Sequence, residues 1–193
     1  MSLGWYRTSD DLRQTNWTCG YCGKGVGGSV GFKREDPFDS SRAIYICPYC
    51  ENPTAFVLEH DGIGQYPGPA KGRDVMALPK DVAVLYGEIR RCMQYCAYTP
   101  AVLACRKILM SLAVDKGADE GMRFVEYVGY LVENHYAPPG GDEWLERIRS
   151  LGNEAAHEIR SMAEDEAQLL LDFCEMLLVF NYEFPARLAA DRD

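Results

Sequence analysis

The chain has 193 residues, of which 47% are hydrophobic and 25% charged, and a formal net charge of −9. That length allows one domain or two small ones, and that composition is ordinary for a globular protein. No apolar run is long enough to span a bilayer, so we expect no membrane partner. Residues 81–193 hold 20 acidic and 11 basic side chains. This excess repels a phosphate backbone and excludes extensive duplex DNA binding, so any nucleic-acid contact must be local.

Two C-x-x-C pairs, Cys19 with Cys22 and Cys47 with Cys50, are separated by 24 residues. Zinc binds four thiolates in a tetrahedron, and each C-x-x-C turn offers two of them to one ion. The spacing therefore predicts a small β zinc ribbon over residues 14–60. Four cysteine ligands leave Zn²⁺ no open position for water, so the metal is expected to hold structure and not to catalyse.

Two other readings of the same cysteines stay open. Cys47-Pro48-Tyr49-Cys50 resembles a glutaredoxin active site, but such a site requires a helix that begins at its first cysteine. Here a β-like run, Ala43–Ile46, precedes the pair, and Pro53 opposes an immediate helix. Disulfides would require an oxidising compartment. We favour zinc, and a reducing cytoplasm suits all eight cysteines of the chain.

A segment rich in turn-forming residues follows the ribbon. Residues 61–79 contain four glycines and three prolines. Such a density of glycine and proline predicts a loop or linker between two domains. The second domain is then expected to occupy residues 80–190.

Residues 80–190 show the spacing of helices, and we expect five. The first carries an apolar stripe that includes Val82, Leu85 and Ile89. The second opens at Thr99-Pro100, the third spans about residues 120–135, and the fourth begins near Asp142. Ser161 with Glu164 forms a capping box for the fifth, which Pro185 is expected to close.

The last predicted helix has two apolar faces. One face holds six small or aliphatic residues, and the other holds Leu169, Phe173, Met176 and Phe180. A helix that is apolar on two sides is expected to pack on both of them, at the centre of a bundle or against a second chain.

One polar stripe in this region could carry chemistry. On a helix, Arg149, Asn153, His157 and Arg160 fall within about 80° of one another. Two arginines, an amide and an imidazole on one side could bind a phosphate and move a proton. Equally, these side chains could satisfy neighbouring backbone groups or face solvent, and the spacing alone favours that simpler interpretation.

The same region resembles a known family. The run Leu151–Glu158 (LGNEAAHE), the run Glu164–Ala167 (EDEA) and the end of the last helix (Phe184–Arg187) are similar to the bacterial domain-of-unknown-function family numbered 4145. The resemblance covers about residues 80–190 and implies that Arg106 is the arginine of the family's second helix. Members often carry cysteine pairs before the helices, and no function is established for the family.

That family is in turn similar to the HEPN domains, which are helical bundles, many of them dimeric, of toxin–antitoxin and phage-defence systems. The resemblance implies a mainly α protein, a five-helix HEPN-like bundle preceded by the small β zinc ribbon. Active HEPN members are metal-independent ribonucleases with an arginine, a polar residue and then a histidine. Asn153 and His157 match the last two, but Gly152 stands where the arginine belongs, and the nearest upstream arginine is Arg149.

Three functions follow from these patterns. The first is a non-catalytic module that binds RNA, a nucleotide or a protein, with Arg106 and Arg160 as further binding residues. The second is a ribonuclease that uses His157, with Asn153 and Arg149. The third is a structural adaptor in which the GNEAAH motif serves packing. We favour the first, and the HEPN resemblance further implies a homodimer with the two His157 stripes near one cleft.

Overall fold

The computed structural model describes residues 12–33, 43–60, 62–137, 147–148, 150–151 and 159–191. The chain divides into two compact units, Met1–Ala70 and Lys71–Asp193. The first unit is built from strands and the second from helices. None of the helices in the described part of the chain combines the length and the apolar character needed to cross a membrane.

The first unit contains two antiparallel sheets. The smaller sheet pairs β1 (Thr15–Thr18) with β2 (Gly25–Gly28), and Trp17 lies opposite Val26. The larger sheet has the order β3-β4-β5-β6, with strands Gly31–Lys33, Ala43–Ile46, Pro53–Glu59 and Gly62–Tyr66. Each cysteine pair therefore lies in the turn of a hairpin, the first between β1 and β2 and the second between β4 and β5.

Three aromatic rings form the apolar centre of this unit. Trp17, Tyr45 and Phe56 lie with ring centroids 5.4 to 6.1 Å apart in tilted or edge-on arrangements. The Tyr45 hydroxyl donates to the carbonyl oxygen of Arg13 at 2.9 Å, which fixes the chain before β1. The buried cluster is small, and two of its six fully buried members are Cys19 and Cys47. The sulfur atoms are therefore part of the core of this unit.

Strand β6 lies inside the segment that the sequence predicts as a linker. It pairs with β5 from Ala55 opposite Tyr66 to Glu59 opposite Gly62. The Gln65 side chain donates to the carbonyl oxygen of Thr18 at 2.8 Å and so ties this edge strand to β1. The sequence does not predict this strand because it contains glycines at positions 62 and 64, and glycine is depleted in strands.

The second unit contains four helical runs among the described residues. They are α1 (Lys80–Gln94), α2 (Tyr98–Asp115), α3 (Phe124–Glu133) and a long C-terminal run. The C-terminal run is α4 (Glu164–Leu178), a π-helical segment (Val179–Glu183) and α5 (Phe184–Ala190), which follow one another without a break. The core residues are mostly aliphatic and lie chiefly on α2 and α4.

The fold-class prediction is wrong. The described residues hold four helical runs and six strands in two antiparallel sheets, so the architecture is mixed α and β and not a five-helix, mainly α bundle. Strand content was underestimated because the glycines of β2 and β6 give no β pattern. The predicted fourth helix falls largely outside the described residues, where Arg147, Ile148, Ser150 and Leu151 have helical backbone.

The start of α4 also differs from the predicted capping box. The helix begins at Glu164, and the Glu166 carboxylate accepts the backbone N–H of Ala163 at 2.9 Å, so the cap lies two residues later than Ser161 would place it. Thr99, predicted to cap α2, instead accepts the backbone N–H of Met162 at 3.0 Å. A side-chain oxygen can satisfy any nearby free N–H, and only the tertiary fold selects which one.

The C-terminal run does not end at Pro185, where the sequence predicts a stop. Pro185 lies in the first turn of α5, directly after the π-helical segment. A proline inside an α-helix clashes with the carbonyl group four residues earlier, here that of Asn181. Asn181 belongs to the π-helical segment, and the wider turn there relieves the clash.

The same π-helical segment holds a buried carboxylate. Glu183 has no exposed surface and accepts the backbone N–H of Met76 at 3.1 Å and Nη1 of Arg73 at 3.2 Å. Arg187 also donates to it from one turn further along. Glu175 accepts the backbone N–H of Arg73 at 2.7 Å. These bonds hold Lys71–Met76, which we call the strap, against the C-terminal run.

Replacing Glu183 by Gln should destabilise the helical unit in a pH-dependent way. The Met76 N–H, aided by both arginines, outweighs burial and lowers the pKa of Glu183 from its ordinary 4.5. The carboxylate therefore contributes stability above that value, and the contribution is lost as pH falls through the lower folded-state pKa. At neutral pH, Glu183→Gln should reduce Tm by roughly 3–8 °C, measured by circular dichroism at 222 nm.

The matched control is Glu133→Gln, which changes an exposed carboxylate at the end of α3. It should leave Tm unchanged, and the difference in Tm between wild type and Glu183→Gln should shrink towards pH 4. Equal effects of the two substitutions would contradict the assigned role of Glu183.

Candidate metal centre

The two cysteine turns share one backbone geometry. In the first, Gly23 N–H donates to the carbonyl oxygen of Cys19, and Cys19 N–H donates to that of Lys24, both at 2.9 Å. In the second, Glu51 N–H donates to the carbonyl oxygen of Cys47 at 2.9 Å, and Cys47 N–H donates to that of Asn52 at 3.0 Å. Two equivalent turns therefore present their thiols in the same way.

The residue after each second cysteine has the left-handed backbone conformation. Gly23 has φ of 70° and Glu51 has φ of 58°. Glycine adopts this conformation without strain, which explains the first turn. Glutamate rarely does, so the second turn stores a small strain that the rest of the fold must offset. The sequence shows the glycine but gives no sign of this role for Glu51.

The four sulfur atoms come together in one cluster. All four Sγ atoms lie within 4.8 Å of one another. The Sγ atoms of Cys19 and Cys50 are 3.7 Å apart, and those of Cys22 and Cys47 are 3.8 Å apart. Each of these pairs joins the first turn to the second. The distances exceed the length of about 2.05 Å of a disulfide bond, so the sulfur atoms are not bonded to one another.

These distances fit a tetrahedral metal site. Four sulfur atoms at about 2.3 Å from a central ion stand about 3.8 Å apart, the edge of that tetrahedron. The observed separations agree with that edge, and the cluster can hold a metal ion. Two of the cysteines, Cys19 and Cys47, are buried, and the other two are half-buried.

The thiols are not electrostatically equivalent. Burial raises the pKa of Cys19 to about 12. At Cys50, hydrogen bonds from Asn52 outweigh burial and lower the pKa to about 7. A divalent metal bound by all four sulfur atoms would keep all four thiols deprotonated.

Gly20 fits the first turn against the end of the larger sheet. A Cβ atom at this position would lie 2.7 Å from the carbonyl oxygen of Pro67 and closer still to that of Gly68. Backbone atoms cannot yield as a flexible side chain can, so only glycine fits here. The chain after β6 therefore supports the cysteine turn from behind.

A cation–π contact joins the two cysteine turns. Nζ of Lys24 lies 4.3 Å from the centroid of the Tyr49 ring, which brings a side chain that follows the first turn onto the second. The Tyr21 side chain is half exposed, and the Tyr49 side chain is 63% exposed. The sequence places a tyrosine before the second cysteine of each pair, but only the folded hairpins bring Lys24 to one of them.

Two of the predicted binding arginines lie in the helical unit and are already engaged. Arg106 is half-buried on α2, 4.3 Å above the Phe124 ring, and burial lowers its pKa. Arg160 donates to both carboxylate oxygens of Glu166, at 2.9 and 3.2 Å. The Arg160 ion pair lowers the pKa of Glu166. The remaining predicted site residues, Arg149, Asn153 and His157, lie outside the described residues.

Comparison with known proteins identifies one family. The family model described as "Domain of unknown function (DUF4145)" matches residues 87–191, more than half of the chain. The match begins within α1 and runs through α5, so the cysteine cluster lies before it. Searches of the curated proteins and of the solved structures gave no match.

Gly20→Ala should weaken the cysteine cluster, whereas Gly25→Ala should not. The added methyl group at position 20 meets two backbone oxygens, but at position 25 it meets nothing within 4 Å. We expect Gly20→Ala to lose metal to a chelator at least roughly tenfold faster than wild type, a cost of about 1.4 kcal/mol in the barrier. Release can be followed with a colorimetric metal indicator. Equal release rates for both variants would contradict the close contact at Gly20.

Proposed function

Because the chain belongs to the DUF4145 family and carries a four-cysteine cluster before the family domain, we propose that it is a cytoplasmic zinc-binding protein. In this proposal a structural zinc ribbon precedes a HEPN-like helical domain. The helical domain binds RNA or a nucleotide at a local site and does not cleave it. A defence-related setting follows from the HEPN resemblance.

The sulfur geometry is the observation that carries the zinc assignment. Separations of 3.7 and 3.8 Å between turns match the tetrahedral edge expected for Zn–S bonds of about 2.3 Å. Zinc prefers this all-thiolate set in structural sites, and iron as a single ion is the main competitor for it. The four cysteines outside the cluster also carry free thiols, one of them exposed, which suits a reducing compartment.

We expect one zinc ion per chain, with four sulfur neighbours at about 2.3 Å. Elemental analysis of the purified chain would give the stoichiometry and X-ray absorption the distances. Cys22→Ser should abolish tight binding and unfold the strand unit, because its buried core is small and the metal supplies much of its folding free energy. Cys96→Ser is the matched control, since Cys96 is exposed and lies outside the cluster.

In these experiments the helical signal near 222 nm should survive Cys22→Ser, because the large apolar core belongs to the second unit. Absence of zinc, a disulfide in either pair, or an iron spectrum would each overturn the zinc assignment.

Local recognition of RNA is supported by the arginines of the helical unit. Arg106 is partly desolvated, and a guanidinium in that environment gains more from a phosphate than one in water does. The sequence puts Arg149, Asn153 and His157 on one helical stripe, and such a set of side chains suits a phosphate. The acidic charge of residues 81–193 limits such binding to a few phosphates.

The absence of cleavage is supported by the fate of the candidate arginines. Gly152 occupies the position of the phosphate-binding arginine in active HEPN proteins. Arg149 and Arg160 are the two possible substitutes for that arginine. The Arg160 guanidinium forms two hydrogen bonds with the Glu166 carboxylate. With glycine at position 152 and Arg160 held by Glu166, neither position supplies the clamp for the charge that develops on the phosphate during cleavage.

A binding experiment separates this proposal from its alternatives. Wild type should bind single-stranded RNA with a slope of log K against log salt of about −0.7 to −1.4, as expected for one or two phosphate contacts. Arg106→Ala and His157→Ala should weaken binding by roughly tenfold, whereas Lys107→Ala, an exposed cation on the same helix, should not.

Metal-independent RNA cleavage that disappears in His157→Ala would overturn the proposal in favour of a ribonuclease. No binding of RNA or nucleotides by the zinc-loaded wild type would overturn it in favour of a structural adaptor or a protein-binding module.

A further inference from the structure

The cysteine cluster pairs each accessible sulfur atom with a covered one from the other turn. Cys22 and Cys50 are half-buried, whereas Cys19 and Cys47 have no exposed surface. The Sγ atom of Cys50 lies 3.7 Å from that of Cys19, and the Sγ atom of Cys22 lies 3.8 Å from that of Cys47. Each of these two pairs therefore joins a sulfur atom that a small solute can reach to one that the fold covers.

Metal binding would keep these sulfur atoms reactive at neutral pH. A bound divalent ion holds its cysteine ligands as thiolates, and the thiolate is the form of cysteine that attacks peroxides. Zinc has no second oxidation state to offer, so an oxidant at this site acts on the sulfur atoms. The half-buried residues, Cys22 and Cys50, are the ones that a peroxide meets first.

Only a small movement separates the contacts between the turns from disulfide bonds. A disulfide has an S–S length of about 2.05 Å, so the Cys19–Cys50 pair must close by about 1.7 Å. Backbone hydrogen bonds from Gly23 to Cys19 and from Glu51 to Cys47 hold the two turns in place. Rotation about the Cα–Cβ bonds of the cysteine side chains can therefore bring the sulfur atoms together while the hairpins stay where they are.

We propose that the cluster is a site of oxidative modification, at which a peroxide converts the four thiolates into two disulfides between the turns. Cys50 bonds to Cys19, and Cys22 bonds to Cys47. The inference rests on the proposed metal site and goes beyond it, because it assigns a second, metal-free state to the same sulfur atoms. The C-x-x-C motifs by themselves would suggest bonds within each turn, and the tertiary structure favours the other pairing.

Each disulfide forms in two steps and consumes one peroxide molecule. In the first step the thiolate of Cys50 attacks one oxygen of hydrogen peroxide, the O–O bond breaks, and hydroxide leaves. The sulfur atom is thereby oxidised by two electrons to a sulfenic acid. In the second step the thiolate of Cys19 attacks this sulfur, the S–S bond forms, the S–O bond breaks, and a second hydroxide leaves. The same two steps join Cys22 to Cys47, and the metal ion dissociates because its thiolate ligands are gone.

This pairing keeps the strand unit cross-linked after the metal has left. Cys19 and Cys22 lie in the turn between β1 and β2, and Cys47 and Cys50 lie in the turn between β4 and β5. Bonds between the turns therefore tie the two sheets together at the place where the metal ion held them. Bonds within the turns would give no such tie. The oxidised unit is therefore expected to release its metal without unfolding.

Peptide mapping of the full chain after peroxide treatment tests the pairing. The zinc-loaded chain is treated with hydrogen peroxide, its remaining thiols are alkylated, and it is digested with trypsin without reduction. Cys19 and Cys22 share the tryptic peptide 14–24, and Cys47 and Cys50 share the tryptic peptide 43–71. Bonds between the turns should join these two peptides, whereas bonds within the turns would leave them separate. Fragmentation of the joined peptides by mass spectrometry assigns the two bonds.

Zinc release and trapping of the intermediate follow the reaction itself. A colorimetric indicator should report complete loss of the bound zinc, while circular dichroism in the near ultraviolet should keep its aromatic signal. A thiol reductant should restore zinc binding. A 1,3-dione that reacts with sulfenic acids should label Cys22 or Cys50 in preference to Cys19 and Cys47. Cys96→Ser removes an exposed thiol outside the cluster and should release zinc at the wild-type rate.

Bonds within the turns, a mixture of all pairings, or zinc that stays bound while the exposed Cys96 is oxidised would each overturn the inference. The zinc content of the chain before treatment tests the proposed metal site separately. A chain that binds no zinc overturns the proposed metal site and this inference with it. A chain that binds zinc but forms other disulfides overturns this inference alone.

Discussion

The contact among four sulfur atoms is the constraint on which the strand unit depends. Its apolar core contains few fully buried residues beyond the aromatic centre around Trp17 and Tyr45, and two of those residues are cysteines. So small a core seldom outweighs the conformational entropy of the strands. The cysteine turns at the ends of two hairpins add a cross-link between the two sheets, beside the aromatic contacts and the Gln65 hydrogen bond. Metal binding and folding are therefore expected to be one process in this unit.

In the helical unit, the buried carboxylate of Glu183 has a comparable stabilising role. Glu183 is buried in a π-helical segment and receives a backbone N–H from the strap and two arginine side chains. The π-helical turn allows Glu183 to accept the backbone N–H of Met76 in the strap, while Pro185 remains inside a continuous helical run. π-Helical turns often occur where a helix must place a side chain out of the regular spacing.

The two surfaces with functional potential differ in chemistry and in their relation to the family. The matched family region begins within α1 and contains Arg106 and Arg160, whereas the cysteine cluster precedes it. A partly desolvated arginine suits a phosphate, and a four-sulfur cluster suits a structural ion. These roles do not compete for the same residues.

The sequence by itself determined the cysteine cluster, the strand Ala43–Ile46 before its second turn, and one apolar face each of α1 and α4. These features are local, since ligand spacing and hydrophobic periodicity operate within a few turns of chain. Tertiary structure decided the rest. Strand β6, the buried Glu183 and the exposure of Met176 and Phe180 depend on which distant groups meet. Glycine-rich strands lack the alternating apolar pattern by which a strand is recognised. The sequence around a single glutamate does not show which distant groups will bond to it. The apolar face of a helix does not show whether the rest of the chain will cover it.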